Sequence, residues 1–221
     1  MKNTITSGTS KSLEGAYLNG DYEQVIDGLI QAKKKFSPDI FHYNLGTVYA
    51  LQGGDAAARY HFEKSLYLGY RDKKVLHNLE IVKHRMGLDA QGITLTAHDN
   101  FFMTVKGIPD GVFVLLSMSL LLFFLILFIT GVIKRIKLLL VGIAVSLIPL
   151  ASLFFYFEKF DQAIFFEKGN VYQGPSGIYS VTNHIDPGIK IIVGKSHGGW
   201  FYIVAPEKYN GWVKREVLGI Y

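Results

Sequence analysis

Cysteine is absent from the 221-residue sequence. Its absence excludes disulfide bonds, thiolate zinc sites, iron–sulfur ligands and a cysteine nucleophile. The seven histidines have no H-E-x-x-H spacing, and Gly174-Pro175-Ser176-Gly177 lacks the G-x-S-x-G order of a serine nucleophile. The acidic residues are spread evenly, and no pair forms a recognisable site. We therefore expect no metal site, no cofactor and no enzymatic activity.

Unbalanced charge is also scarce over most of the chain, although the net charge is +5. Residues 1–110 carry 13 Lys/Arg and 12 Asp/Glu, and residues 158–221 carry 7 and 6. The remaining three basic residues are Lys134, Arg135 and Lys137. Because neither large segment has a basic excess that would neutralise phosphates, we expect no nucleic-acid binding.

Charged residues are missing altogether from two long segments, 111–133 and 138–157. A helix of about 20 apolar residues matches the roughly 30 Å hydrocarbon core of a bilayer. The sequence therefore predicts a transmembrane α-hairpin in the lipid bilayer, with spans at 111–133 and 138–157 and a basic loop at 134–137. Pro149 is expected to kink the second span, and Phe154-Phe155-Tyr156-Phe157 to form an interfacial aromatic belt. Without an ionisable residue in either span, we expect an anchor rather than a transport route.

The basic loop also predicts the orientation of the hairpin. Three basic residues in a four-residue loop favour a cytoplasmic loop, which leaves both flanking domains outside the cytoplasm. Residues 1–20 contain no apolar core of the length that a signal peptide needs. We therefore expect either a signal upstream of this numbering or, with the opposite topology, cytoplasmic domains.

The segment before the hairpin has a weak internal repeat. Tyr43-Asn44-Leu45-Gly46 and His77-Asn78-Leu79-Glu80 share Asn-Leu at a spacing of 34 residues. Residues 39–72 follow the tetratricopeptide pattern, with small residues at Gly46 and Ala58 and Phe62 four positions after Ala58. A weaker unit precedes them at 13–37, and 73–86 is expected to be a capping helix. We predict an all-α repeat domain at 11–87, followed by a linker at 88–110.

A tetratricopeptide array implies a partner-binding groove along its first helices. The side chains expected to line it are Tyr43, Asn44, Thr47, His77, Asn78 and Ile81. The alternative is that these are ordinary surface residues.

The segment after the hairpin predicts an all-β domain at 163–221. Short β-rich runs alternate with turns such as Asp186-Pro187-Gly188 and Asn210-Gly211. Val171-Tyr172-Gln173-Gly174-Pro175-Ser176, Gly199-Trp200 and Gly211-Trp212-Val213 resemble motifs of the bacterial SH3 domain. That resemblance implies an SH3-like barrel that binds peptidoglycan or protein, mostly outside the cytoplasm. The aromatic residues that belong either to its ligand surface or to its core are Tyr172, Trp200, Tyr202 and Trp212.

Helical repeats, a two-helix anchor and an SH3-like barrel together describe a multi-domain membrane protein. This order resembles the BatE family of the Bacteroides aerotolerance operon. The resemblance implies a scaffold in the bacterial cytoplasmic (inner) membrane that assembles with von Willebrand factor A-type proteins of the same operon and contributes to stress tolerance. Two alternatives remain open: a peptidoglycan-binding anchor that acts through the SH3-like domain, and a sensor or regulator with cytoplasmic repeats.

Overall fold

The computed structural model describes residues 7–88, 95–155 and 159–221, with side chains from residue 13 onward in the first of these ranges. It has a helical N-terminal part, two apolar helices and a C-terminal antiparallel sheet, as the sequence predicts. The helices are α1 Ser7–Asn19, α2 Tyr22–Gln31, α3 Pro38–Gln52, α4 Asp55–Tyr67, α5 Lys73–Arg85, α6 Ala97–Lys106, α7 Asp110–Ile129, α8 Ile136–Ser146 and α9 Ile148–Phe155. The strands are β1 Asp161–Phe165, β2 Gly169–Tyr172, β3 Val181–Ile185, β4 Lys190–His197, β5 Trp200–Ala205, β6 Gly211–Lys214 and β7 Leu218–Ile220.

The helical part is built around the close contact of α3 with α4. Pro38 stands at the start of α3, where its missing N–H is not needed, and Gly53 ends that helix with φ of 86°. A Cβ at Gly46 would lie 2.7 Å from Cδ1 of Phe62, so only glycine admits this fully buried ring. The helical character predicted for 11–87 is confirmed, whereas its assignment to the tetratricopeptide family stays a prediction.

The segment predicted as a linker, 88–110, contains a helix, because residues 97–106 form the well-capped helix α6. The Thr96 hydroxyl accepts from the Asp99 N–H, and the Asp99 carboxylate accepts from the Thr96 N–H. Phe102 is 3% exposed and packs with Ile192 and Ala205 of the sheet. The helix therefore depends on its contact with the sheet, which is more than 50 residues further along the chain.

Helices α7 and α8–α9 are the two apolar segments. Both Asp110–Ile129 and Ile136–Phe155 are long and apolar enough to cross a membrane, and only 6% and 17% of their most apolar windows are buried. The first helix ends four residues before the predicted end of span 1, since Gly131 takes φ of 76° just after it. The turn is therefore 130–135, and the predicted loop residues Ile136 and Lys137 already belong to α8.

The second apolar segment breaks at Leu147, two residues before Pro149. The Leu150 N–H donates to Oγ of Ser117 on α7 (3.1 Å), so the facing helix satisfies a donor at the break. Of the predicted aromatic belt, Phe154 and Phe155 are exposed at the end of α9. Tyr156 and Phe157 lie outside the described residues.

The C-terminal part is a seven-stranded antiparallel sheet with the order β3-β2-β6-β5-β4-β1-β7. Its buried core contains Ala163, Phe165, Val171, Ile185, Ile189, Ile191, Val193, Ile203, Tyr209, Val213 and Leu218. Along β5 and β6 the inward residues Phe201, Ile203 and Val213 alternate with outward ones, as the period of two requires. This alternation leaves one face of β2, β5 and β6 for other contacts.

Candidate binding surfaces

Four aromatic side chains share the outer face of strands β2, β6 and β5. Trp212 is the direct cross-strand partner of Tyr172 on one side and of Tyr202 on the other. Directly opposed residues have their side chains on the same face of a sheet. The Tyr202 and Trp212 rings are 5.5 Å apart, and the Tyr172 and Trp200 rings 5.1 Å apart, both edge to face. We name the set Tyr172, Trp200, Tyr202 and Trp212 the aromatic face.

The aromatic face is half-buried, and none of its members belongs to the buried core cluster of the sheet. Large aromatic residues in so small a domain are ordinarily expected in the core, but the alternation along β5 sends Phe201 and Ile203 inward instead. At one end, Trp200 pairs with Lys214, whose Nζ lies 5.8 Å from the indole ring centre. Half-buried rings beside a cation form a surface that stacks on flat or apolar ligand groups.

Residues 167–219 match the family model described as the bacterial SH3 domain. The chain contains a bacterial SH3 domain. Such a domain suggests protein or peptidoglycan binding, and the aromatic face lies wholly within the match. Strand β1 precedes the match but is paired with β4 and β7, so the sheet extends beyond the matched residues. No curated protein and no solved structure matches the chain significantly.

Five of the six predicted groove residues line two separate depressions of the helical part. Tyr43, Asn44 and Thr47 of α3 line a cavity of about 260 Å³ together with Tyr17 of α1 and Val25 of α2. The Tyr43 ring also packs 5.0 Å from that of Tyr70, and the Thr47 hydroxyl donates to the Tyr43 carbonyl. The side chains of Tyr43 and Thr47 therefore also make contacts within the fold.

The α5 residues of the predicted groove lie apart from the α3 set. His77 and Ile81 are exposed and border a shallow depression of about 550 Å³ with Glu80 and His84. Asn78 is half-buried and does not line either depression. The structure thus places five of the six residues in two separate depressions rather than in one continuous groove, and Asn78 in neither.

A polar cluster that the sequence does not predict joins the helical part to the SH3 domain. Glu63 of α4 accepts from Nζ of Lys190 (2.8 Å) and from the hydroxyl of Tyr221 (3.2 Å). Arg59, one turn earlier on α4, is 3.6 Å from the same carboxylate and donates to the Gly188 carbonyl (2.7 Å). We name Arg59, Glu63, Lys190 and Tyr221 the junction cluster.

The junction cluster keeps its carboxylate ionised. Burial raises the pKa of Glu63, but Lys190 and Arg59 together with the two hydrogen bonds more than offset that effect, and the net pKa is lowered. Burial, and then the Glu63 charge, raise the pKa of Tyr221 well above its ordinary value. Tyr221 is therefore a neutral donor to a charged acceptor, a strong form of hydrogen bond.

Apolar contacts surround the junction cluster. The Tyr60 ring meets Phe166 edge to face at 5.2 Å, and its hydroxyl donates to the Ile220 carbonyl. A Cβ at Gly219 would collide with both rings, and one at Gly188 would collide with Met86. Helix α6 adds a second contact, because the Asp99 carboxylate accepts from the Glu207 N–H (2.8 Å). The helical part and the SH3 domain therefore pack as neighbours across a mixed interface.

Two histidines between α3 and α4 are the other unusual polar group. Nδ1 of His42 and Nδ1 of His61 are 2.8 Å apart, and the His61 ring stacks on Tyr49 at 5.3 Å. Burial, reinforced by Lys64 and Lys33, lowers the pKa of His42 to about 4. Burial, then His42 and Lys64, lower the pKa of His61 to about 3. Within residues 7–88, 95–155 and 159–221 no group of three or more His, Cys, Asp or Glu residues could hold a metal ion. We therefore interpret the pair as a packing contact between neutral imidazoles.

Proposed function

We propose that the protein is a membrane-anchored scaffold whose SH3 domain binds a protein partner through the aromatic face. One observation carries the proposal: four half-buried aromatic rings, with Lys214 at one end, share a sheet face that the core does not use. Protein-binding sites are enriched in Tyr and Trp, which provide large contact areas at low entropic cost. Peptide-binding domains commonly present such aromatic-lined surfaces.

The anchor is the second part of the proposal. Only 6% and 17% of the most apolar windows of α7 and α8–α9 are buried, whereas the apolar helix of a soluble core is mostly buried. Exposed to water, two such helices would aggregate, and a bilayer is the solvent that suits them. The turn between them carries Lys134 and Arg135, with Lys137 next to it, which favours a cytoplasmic turn and two extracytoplasmic domains.

The wider setting follows from the resemblance to the BatE family. We propose von Willebrand factor A-type proteins as partners, an inner-membrane location and a role in stress tolerance. The cavity beside Tyr43, Asn44 and Thr47 is the proposed second contact with a partner, on the helical part. A scaffold with two contact surfaces is the simplest function for these modules.

Co-purification from detergent tests the proposal. The full chain with Trp200→Ala is compared with the unchanged chain and with Phe101→Ala, which removes an exposed aromatic residue from α6 instead. We expect recovery of a von Willebrand factor A-type partner to fall at least about tenfold for Trp200→Ala alone, as for an interface hot spot. Equal recovery from all three proteins would exclude the aromatic face as the partner site.

Peptidoglycan is the second candidate ligand, because a bacterial SH3 domain suggests either protein or peptidoglycan. Aromatic rings also stack on sugars, so the aromatic face could bind either a protein or peptidoglycan. Sedimenting the detergent-solubilised full chain with purified peptidoglycan separates them. Loss of the chain from the supernatant, reversed by Trp200→Ala, would favour the wall-binding function over the scaffold.

A further inference from the structure

A cavity of about 340 Å³ lies where the helical part, the SH3 domain and the start of α7 meet. Its walls include Tyr67 of α4, Leu76 of α5, Pro109 and Lys190. Pro109 is the residue immediately before α7, so the cavity opens within a residue or two of the first apolar helix. In a membrane-anchored chain that position lies at the level of the lipid headgroups. Its volume lies within the range of small-ligand sites.

Two basic side chains, Lys190 and Arg71, line the cavity together with one carboxylate, Glu63. Glu63 is the carboxylate there, and it is already shared by Lys190 and Arg59, so one positive charge is left over in the junction cluster. Arg71 adds another at the cavity wall, where its Nη1 is held by the carbonyls of Leu66 (2.6 Å) and Tyr70 (3.3 Å). Arginine and lysine side chains that line the same partly enclosed space suit a phosphate group.

The mouth of the cavity has a different chemistry. Tyr67 and Leu76 are each 51% exposed and present apolar surface toward solvent. Asp110 directly follows Pro109 in the chain and Asp161 directly precedes Gln162, and both of these neighbours belong to the cavity wall. After burial, the charges of Asp110 and Asp161 raise the pKa of Tyr67. A ligand for this cavity therefore carries a phosphate, a cationic group within a few ångströms of it, and an apolar part that reaches the mouth.

We propose that this cavity binds the headgroup of a zwitterionic, ethanolamine-type phospholipid. The phosphate contacts Arg71 and Lys190, the ammonium group faces Asp110 and Asp161, and the glycerol end leaves between Tyr67 and Leu76. The bound lipid would connect both soluble parts to the membrane surface at the base of α7. This inference rests on the membrane anchor of the proposed function, but not on the partner of the SH3 domain.

Native mass spectrometry of the purified full chain in detergent tests the inference. The probes are phosphatidylethanolamine, phosphatidylglycerol and free phosphoethanolamine, and the variants are Arg71→Gln and Asp110→Asn. Lys168→Gln, an exposed residue between β1 and β2, is the charge-matched control. We expect the unchanged chain to retain one phosphatidylethanolamine molecule. Arg71→Gln should lower this retention by roughly tenfold or more, because a charge-assisted hydrogen bond is lost. Asp110→Asn should reduce the preference for phosphatidylethanolamine over phosphatidylglycerol.

Three results would overturn the inference. The first is equal lipid retention by Arg71→Gln and Lys168→Gln. The second is stronger retention of phosphatidylglycerol than of phosphatidylethanolamine by the unchanged chain. The third is complete competition by free phosphoethanolamine at matched concentration, which would make the cavity a site for a soluble phosphate compound. Membrane fractionation tests the anchor independently of lipid binding. Release of the chain from membranes by an alkaline carbonate wash would contradict the anchor, whatever the lipid measurement gives.

Discussion

Glu63→Gln should destabilise the SH3 domain, although Glu63 belongs to helix α4 of the helical part. The carboxylate holds Lys190 and Tyr221 of the SH3 segment and faces Arg59 on its own helix. Glutamine keeps the length of the side chain and one acceptor oxygen but removes the negative charge. Two basic groups in a largely buried place then lose their counter-charge.

The size of the effect follows from the burial of the pair. The side chains of Glu63 and Lys190 are 15% and 21% exposed, so solvent screens their interaction only slightly. Removing one partner of a buried ion pair costs about 3–5 kcal/mol, and the remaining hydrogen-bond acceptor argues for about 3 kcal/mol here. In a chain of this length that loss lowers the melting temperature by roughly 6–12 °C.

The two tryptophans provide the assay. Trp200 and Trp212 both lie in the SH3 domain, so intrinsic tryptophan fluorescence during heating reports on this domain alone. Glu80→Gln on α5, which removes the same charge from an exposed residue, is the matched control and should leave the melting temperature within about 1–2 °C, as for an ordinary surface change. The double variant Glu63→Gln with Lys190→Met should be less destabilised than the sum of the single variants.

A tryptophan melting curve of Glu63→Gln that coincides with that of Glu80→Gln would refute the reasoning. It would mean that the negative charge of Glu63 contributes nothing to the stability of the SH3 domain. Additive single and double variants would lead to the same conclusion for the Glu63–Lys190 contact alone.

Four further predictions rest on single contacts. Gly46→Ala places a Cβ against the buried Phe62 ring and should cost about 1–3 kcal/mol of overpacking, measured as a lower urea midpoint by circular dichroism. Because the pKa of His61 is lowered in the folded chain, the folded chain binds fewer protons than the unfolded chain below pH 6.5. The free energy of unfolding should therefore fall by about 2 kcal/mol between pH 7.5 and pH 5 through this residue. His61→Phe should reduce that pH dependence in urea titrations. Asp99→Ala removes the α6 capping box and the contact with the Glu207 N–H, so we expect a loss of about 1–3 kcal/mol by tryptophan fluorescence. Leu122→Arg, in the middle of α7, should cost about 2.5–3.5 kcal/mol of membrane insertion, seen as a smaller membrane fraction.

Each of these predictions has a result that would contradict it, and the first also has a matched control. Gly15→Ala adds the same methyl group where nothing lies within 4 Å, so equal midpoints for the two glycine variants would exclude overpacking at Gly46. A pH dependence unchanged in His61→Phe would assign the proton uptake to other groups. If Asp99→Ala melts like the unchanged chain, α6 does not stabilise the SH3 domain. If Leu122→Arg fractionates with membranes as the unchanged chain does, α7 is not a membrane span.

The spacing of apolar residues and the position of turn-forming residues in the sequence predict most elements of the fold. The uninterrupted apolar runs give α7 and α8–α9, and the turn residues around Asp186 and Asn210 mark real breaks between strands. The contact of Gly46 with Phe62 also follows from the sequence, because a small residue is needed where two antiparallel helices approach closely. Element ends are harder: Gly131 ends α7 although the apolar run continues to Ile133, since a single residue with positive φ outweighs hydropathy.

Contacts between distant segments account for what the sequence does not reveal. Helix α6 is held against the sheet by the buried ring of Phe102 and by the Asp99 carboxylate, which also caps the helix. Likewise, Glu63 and Lys190 are 127 residues apart, and each alone is indistinguishable from a solvated surface charge. Only the fold reveals that Lys190, on a strand otherwise rich in isoleucine and valine, faces α4.

This junction changes how the binding modules should be tested. The SH3 domain uses Met86 over Gly188, Phe102 of α6 and Glu63 of α4 to cover parts of its surface. A fragment that begins after the second apolar helix would expose all of these contacts and leave Lys190 without its carboxylate. Loss of binding by such a fragment would therefore not separate a damaged domain from a missing partner contact. The full chain in detergent, with one residue of the aromatic face changed at a time, keeps the junction intact and attributes the loss to that face.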